Sequence, residues 1–429
     1  MDQVYDYIIV GAGSAGCILA DRLSESGEHR VLLLEAGGED KSFWFKLPVG
    51  YIKSYFNPKT NWMFYSTPQA HLDGRSLYAP RGKVLGGSGS INAMIYVQGQ
   101  RQDFEDWRGA GNPGWGFDDV QPYFRKLETH PQGLSAGRGE QGRIGITPMK
   151  GQTHPICDDY LGACDALGLP RSEDFNGAQF EGAGIYETNI RRGQRSSSSI
   201  EYLAPARSRD NLTVMTHTQA LRLLYAPGTA NRIQGVRVRQ GGRDFDVQAT
   251  REVILSAGAV GSPQLLQCSG IGDGEELKAL GIGVRQHLPR VGRNLQDHLC
   301  ASFYYRANRP TLNDEFNSLW GQMRAGLQYL LTRRGPLSLS VNQAGGFFKG
   351  ADPLAQPNLQ LYFNPLSYTI PASPKASLKP EPYSGFLMAF NACRPSSKGQ
   401  IKIQSADASV APLIDPNYLR TAHDQEEVL

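Results

Sequence analysis

No stretch of this chain approaches the roughly 18 uninterrupted apolar residues that a membrane-spanning helix needs, so no such helix is expected. The N-terminus also lacks a positively charged leader with an apolar segment behind it. That points to the cytoplasm and leaves open peripheral contact with the inner face of the membrane. Charge of one sign is missing: 44 basic residues stand against 41 acidic ones, a net +3, with no basic block long enough for a nucleic-acid-binding tail. The densest basic group, Arg191, Arg192 and Arg195, reads as a solvated loop. The six cysteines (Cys17, Cys157, Cys164, Cys268, Cys300 and Cys393) include no C-x-x-C pair. Their spacing argues against zinc and disulfide frameworks and for reduced, mostly buried thiols, so no metal site is expected. Those absences leave a globular chain of 429 residues, long enough for two or more domains with a sizeable core.

What is present begins almost at once. Tyr7 to Val10 is a continuous apolar run suited to a parallel strand buried on both faces. Gly11, Gly13 and Gly16 follow in the order G-x-G-x-x-G, which provides a tight turn, a close backbone approach to a pyrophosphate and close packing of helix on strand. Cys17 to Ser26 reads as the helix, with Gly27 as its stop. Val31 to Leu34 reads as a second strand ending in Glu35, nineteen residues past the third glycine, where an acid can bond a ribose hydroxyl pair. The pattern predicts a dinucleotide site and does not separate NAD from FAD. The alternative is a plain βαβ unit whose glycines serve packing alone.

Further along, Lys41 to Tyr65 is rich in aromatics, which could line a pocket or a partner surface and read first as packing of a long excursion onto the core. Arg81 to Asn92 holds four glycines and two serines, then leads into apolar Ala93 to Val97, and reads as a loop meeting a flat ligand. Helices are expected from Asp103, over Val120 to Leu127 with Asp118 as cap, and over Ile156 to Leu167. Leu212 to Met215, Ala220 to Tyr225, Ile233 to Arg239 and Phe245 to Ala249 suggest a small antiparallel sheet. Glu252 to Gly258 reads as another buried strand, followed by a helix with Pro263 in its first turn. Residues 300–306, 343–349, 358–364, 385–392 and 400–404 read as a second sheet, with a helix near 316–332.

Three separated motifs carry a resemblance to the glucose-methanol-choline family of FAD-dependent oxidoreductases. The stretch ending Leu34-Glu35-Ala36-Gly37 is similar to the family's adenosine-binding unit. Arg81 to Asn92 resembles its first signature, with Gly89 where a serine or threonine is usual, and Gly258 to Gly272 resembles its second. The nearest pattern is that of choline-dehydrogenase-like and aliphatic alcohol dehydrogenases. The resemblance implies an α/β plus α+β fold: a Rossmann-like FAD-binding domain with a parallel sheet, and a substrate-binding cap domain on an antiparallel sheet. The expected boundaries are 1–299, with a crossover to the cap around 150–194, and 300–429.

Also implied is oxidation of a primary alcohol to an aldehyde by hydride transfer to flavin N5, with electrons passing to a quinone-type acceptor or oxygen. FAD contacts are expected at Gly11, Gly13, Ser14, Ala15, Gly16, Glu35, Ala36, Arg81, Val84, Gly86, Gly87, Ser88, Asn92, Ala93, Met94, Ile95, Ala220, Ala257 and Gly258. Non-covalent FAD is expected, because Ile91 stands where some members tether the flavin through histidine. Gln343 occupies the place where choline-oxidising members can present an acid to the substrate. The family's base is a histidine that follows its counterpart of Asp415 to Leu419. Here the chain ends at Leu429, eleven residues after Tyr418, so that histidine is expected beyond Leu429. The eight histidines present fall outside the motif, His298 being the alternative candidate. Thr421 reads as the cap of a helix start. The expectation is therefore a fragment without its catalytic histidine, weak in flavin binding and inactive on alcohol. The alternative is a non-catalytic flavin-binding or interaction protein.

Overall fold

A computed structural model describes residues 3–229, 232–350, 352, 355–369 and 378–429. The first strand, β1 (Gln3–Val10), lies at the centre of a six-stranded sheet. Helix α1 (Ser14–Ser24) follows it, and then β2 (Val31–Leu34), parallel to β1 with Tyr7 opposite Val31 and Val10 opposite Leu34. The apolar run explains the placement, because alternate side chains serve opposite faces. Ile8, Val10, Leu32 and Leu34 join one core, while Ile9, Val31 and Leu33 join another with Cys17 and Ala20 of α1.

The expected small antiparallel sheet is not a separate unit. Strands β3 (Leu212–Met215), β4 (Thr218–Tyr225), β5 (Ile233–Gln240) and β6 (Arg243–Leu255) all join the first sheet, in the order β3-β2-β1-β6-β5-β4. Its first member, β3, pairs parallel to β2. The separation of Phe245 to Ala249 from Glu252 to Leu255 also disappears. Both belong to the 13-residue β6, whose early part pairs antiparallel with β5 while residues from Val247 onward run parallel to β1. One strand therefore carries the hairpins and closes the parallel core, so its outer half alternates like a half-exposed hairpin and its inner half does not.

Helix α2 (Gly258–Cys268) leaves the end of β6. It starts five residues before Pro263, which lies inside the helix, not in the first turn. Asp118 is likewise no cap: the helix Phe117–Leu127 is capped at Gly116, whose N–H donates to Asp119 Oδ2, and Asp118 pairs with Arg101 at 2.9 Å. Ala93 to Val97 forms no regular element; Ile95 makes a single bridge to Thr188.

The second sheet is antiparallel throughout. Its order is β7 (Ala301–Arg306), β10 (Gly385–Ala392), β9 (Leu359–Asn364), β8 (Ala344–Phe348) and then Gly182–Ile185, a strand from the stretch read as crossover. Residues 400–404 do not belong to it. Gly399–Lys402 instead bridges Arg293–Leu295 and Leu413–Asp415 in a three-stranded sheet, with Ile401 and Ile414 packing on Val260 of α2. The helix near 316–332 is α3 (Leu319–Thr332). Thr421 does cap Ala422–Val428, its hydroxyl accepting from the Asp424 N–H. Cys17, Cys157, Cys164 and Cys268 are buried, whereas Cys300 is exposed.

Candidate cofactor site

The turn after β1 places the site at the C-terminal ends of β1, β2 and β6, the usual ligand crevice of a parallel sheet. Gly11 turns sharply at φ +99°, and a Cβ there would stand 2.7 Å from Ala257 Cα. At Gly16 a Cβ would meet the Gly11 carbonyl oxygen at 2.0 Å, so this glycine serves the contact of α1 with the turn. Gly13 differs: a Cβ would have only the Ser256 carbonyl oxygen near it, at 3.8 Å, and the position lines the cavity. The three glycines thus divide the roles that their spacing implied.

The 82–89 loop closes against this turn. The Gly86 N–H donates to Ala12 O at 2.7 Å and the Leu85 N–H to Gly38 O at 3.0 Å. Gly87, at φ +55°, approaches so closely that a Cβ would lie 2.8 Å from Gly13 Cα. The two glycine-rich segments form one wall because neither carries a side chain at the contact.

Glu35 is 6% exposed. Its Oε2 accepts from the Ala12 N–H at 3.0 Å and its Oε1 from the Gly37 N–H at 2.9 Å. Burial pushes its carboxyl up to about 7, against the two backbone donors and the Lys83 charge, which pull it down. A buried carboxylate at a strand end is a group that further donor hydroxyls would relieve.

Between these parts lies a cavity of about 360 Å³. It is lined by the expected Gly11, Gly13, Ser14, Ala15, Glu35, Ala36, Arg81, Gly87, Ser88, Ala220, Ala257 and Gly258. The first turns of α1 and α2 both open onto it, and helix N-termini present free N–H groups and partial positive charge. A glycine turn, two helix starts and a buried acid match the parts of a dinucleotide: pyrophosphate at the turn, ribose at Glu35. The residues present therefore fit FAD.

Other expected contacts lie elsewhere. Gly16, Val84 and Gly86 pack behind the cavity wall, and Asn92, Ala93, Met94 and Ile95 do not line it. Asn92 is held by Arg195, whose Nη1 donates to Asn92 Oδ1 and Nη2 to Asn92 O, both at 2.7 Å. Arg195 itself is 1% exposed, so the solvated-loop expectation fails for this residue. Its guanidinium also donates to Phe45 O and Gly89 O, and burial without a carboxylate pulls its pKa down to about 9. Gln343 is buried at the start of β8, where its Oε1 accepts from the His154 N–H at 2.7 Å. Phe347 and Phe363 also pack inside, against Phe180 and Tyr160.

None of the described residues lining the cavity is a histidine. His298 is exposed, its Nε2 2.9 Å from the Cys393 carbonyl oxygen. Several lining residues escaped the sequence. Trp62 and Phe64 stack at 5.7 Å on the cavity wall, the second of the two readings of the aromatic stretch, which did not single them out. Thr218, Gln219 and Ser256 adjoin expected positions. Ala408 arrives from far along the chain, its carbonyl accepting from Gln264 and Gln219, and no local signal marks it.

The GMC oxidoreductase family profile matches residues 5–300. The chain belongs to this family. It is 40% identical to an oxygen-dependent choline dehydrogenase of Photobacterium profundum, over the whole of this chain and 74% of that protein. An alcohol dehydrogenase [acceptor] of Pseudomonas putida is 39% identical, over 98% of this chain and 75% of its own length. Among solved structures, the pyridoxine 4-oxidase of Mesorbium loti superposes with a TM-score of 0.85 at 31% identity, covering 98% of this chain and 78% of its own. GMC oxidoreductases are FAD-binding flavoproteins of mixed α and β structure, so FAD is the cofactor.

Proposed function

We propose that this oxidoreductase converts a primary alcohol to the aldehyde, with electrons passing to a quinone-type acceptor or to oxygen. Bound FAD supplies the hydride acceptor. The chain's own residues would do the holding: backbone N–H groups of the Gly13 turn and the start of α1 would receive the pyrophosphate, and Glu35 would accept from the ribose hydroxyls. Arg81 and Ser88 also line the cavity. The observation that carries the proposal is the junction of the two glycine-rich segments beside Glu35, because it builds one cavity from separate motifs. The choline dehydrogenase and alcohol dehydrogenase relatives support the substrate class.

The test is anaerobic bleaching of the protein-bound flavin by excess alcohol. With no histidine among the described residues lining the cavity, the expected outcome is slow bleaching by primary alcohols, steeply dependent on added base, and none by a tertiary alcohol, which has no hydride on the carbinol carbon. His298→Ala should leave the bleaching rate unchanged, since a positioned base contributes roughly 10² to 10⁴ in rate and His298 is outside the cavity lining. Bound flavin that no primary alcohol reduces would favour a non-catalytic flavin-binding role instead.

A further inference from the structure

Helix α3 shows two apolar faces where one would suffice. Ala325 and Tyr329 are each 1% exposed and seat the helix on the protein, the Tyr329 ring meeting Phe43 and its hydroxyl donating to Gly193 O. Yet Leu319, Trp320, Met323, Leu327, Leu330 and Leu331 are between 59% and 80% exposed. At about 100° per residue these six fall within an arc of about 120°, on the side away from Ala325 and Tyr329. Phe43, whose ring meets Tyr329, and its neighbour Trp44 are also 47% and 45% exposed. Contiguous apolar surface of this kind marks an interaction site.

Charge identifies the occupant. Arg324 borders the arc, Arg333 and Arg334 follow the helix, and Lys46 and Lys53 flank Trp44. No Asp or Glu occurs from Ser318 to Gly335 or from Lys41 to Leu72. The nearest acid before the helix, Glu315, is mostly covered and paired with Arg324 at 3.3 Å. A second copy of the chain docked on the same face would set basic rim against basic rim. An anionic lipid surface satisfies both halves: leucines and tryptophan enter the acyl boundary while the arginines reach the headgroups.

We infer that α3, with Phe43 and Trp44, lies in the plane of an anionic phospholipid surface and docks the protein there. The inference stands apart from the proposed reaction, because vesicle binding is read without alcohol or flavin turnover. The experiment is flotation of the purified protein with phosphatidylcholine vesicles, with and without phosphatidylglycerol, at low and high salt. Binding is expected with phosphatidylglycerol, weakening as salt rises. Leu327→Glu with Leu330→Glu should lower it more than tenfold. Arg324→Gln, Arg333→Gln and Arg334→Gln together should lower it by on the order of fivefold per arginine. Circular dichroism and the unfolding midpoint should match wild type in both variants; if the glutamate variant does not fold, the arginine variant carries the test. No binding to phosphatidylglycerol vesicles at low salt, or equal binding by wild type and the folded variants, would overturn the inference. So would a concentration-dependent dimer, lost in the glutamate variant, with no vesicle binding.

Discussion

Glu35 makes the pH dependence of the flavin-free protein a direct reading of its site. Its carboxyl is raised from the ordinary value of 4.5 to about 7, chiefly because burial disfavours the charged form. A raised acid binds more protons folded than unfolded between those values. Its stabilising contribution is fully present below about pH 4.5 and is lost as pH rises through about 7. At 1.36 kcal/mol per unit, that shift amounts to roughly 3 kcal/mol across the window. Glu35→Gln removes the titration, so the difference in unfolding free energy between wild type and variant should narrow or reverse as pH rises. The amide also keeps only one acceptor for the two N–H groups of Ala12 and Gly37, an orphaned donor costing about 1 to 3 kcal/mol at every pH. FAD affinity should fall about 10- to 150-fold, the equivalent of losing charge-assisted bonds of about 1.5 to 3 kcal/mol. Urea unfolding followed by tryptophan fluorescence from pH 4.5 to 8, without flavin, measures the first effect, and flavin titration at pH 8 measures the second. Parallel stability profiles for the two proteins would refute the assignment of a buried, desolvated carboxylate at this position.

The glycines of the turn offer a paired test. Gly16→Ala should destabilise by about 1 to 3 kcal/mol, because the new Cβ overlaps the Gly11 carbonyl; Gly13→Ala should leave the unfolding midpoint nearly unchanged yet weaken FAD binding at least tenfold, and equal losses of stability would count against the division of roles. Acid precipitation should release the yellow chromophore into the supernatant, since Ile91 is buried with Phe45 and Val84 and has no atom able to tether flavin. Choline should be a poor substrate next to a medium-chain or benzylic alcohol by kcat/KM: Gln343 is neutral, buried and engaged with the His154 N–H, so it offers a quaternary ammonium no charge. A clear preference for choline would sink that expectation.

Legibility in the sequence followed the range of the interactions. The opening βαβ segment could be read because strand, turn, helix and acid are local: Val31–Leu34 has the expected bounds, and the cavity takes in Gly11, Gly13, Glu35, Gly87 and Ala220. Topology was less legible. The hairpin pattern of β4, β5 and β6 is the same whether it stands alone or extends a parallel sheet, and only the pairing of β6 with β1 decides it. Three arginines close in sequence make the limit plainest. Arg192 has nothing in its local sequence to distinguish it from Arg195, yet Arg195 is buried among the carbonyls of Phe45, Gly89 and Asn92, residues more than a hundred positions away. Those carbonyls come from the aromatic excursion and from the glycine-rich signature, so the guanidinium ties together two stretches that the sequence presents as unrelated. Aromatic density at 43–65 and glycine density at 81–92 are therefore parts of one construction: the excursion supplies Trp62 and Phe64 to the cavity wall and the Phe45 carbonyl to Arg195, which fixes the end of the loop. A cation without a carboxylate partner survives there because four oxygens of neutral groups accept its hydrogen bonds, a solvation that no pattern of charges along the chain can reveal.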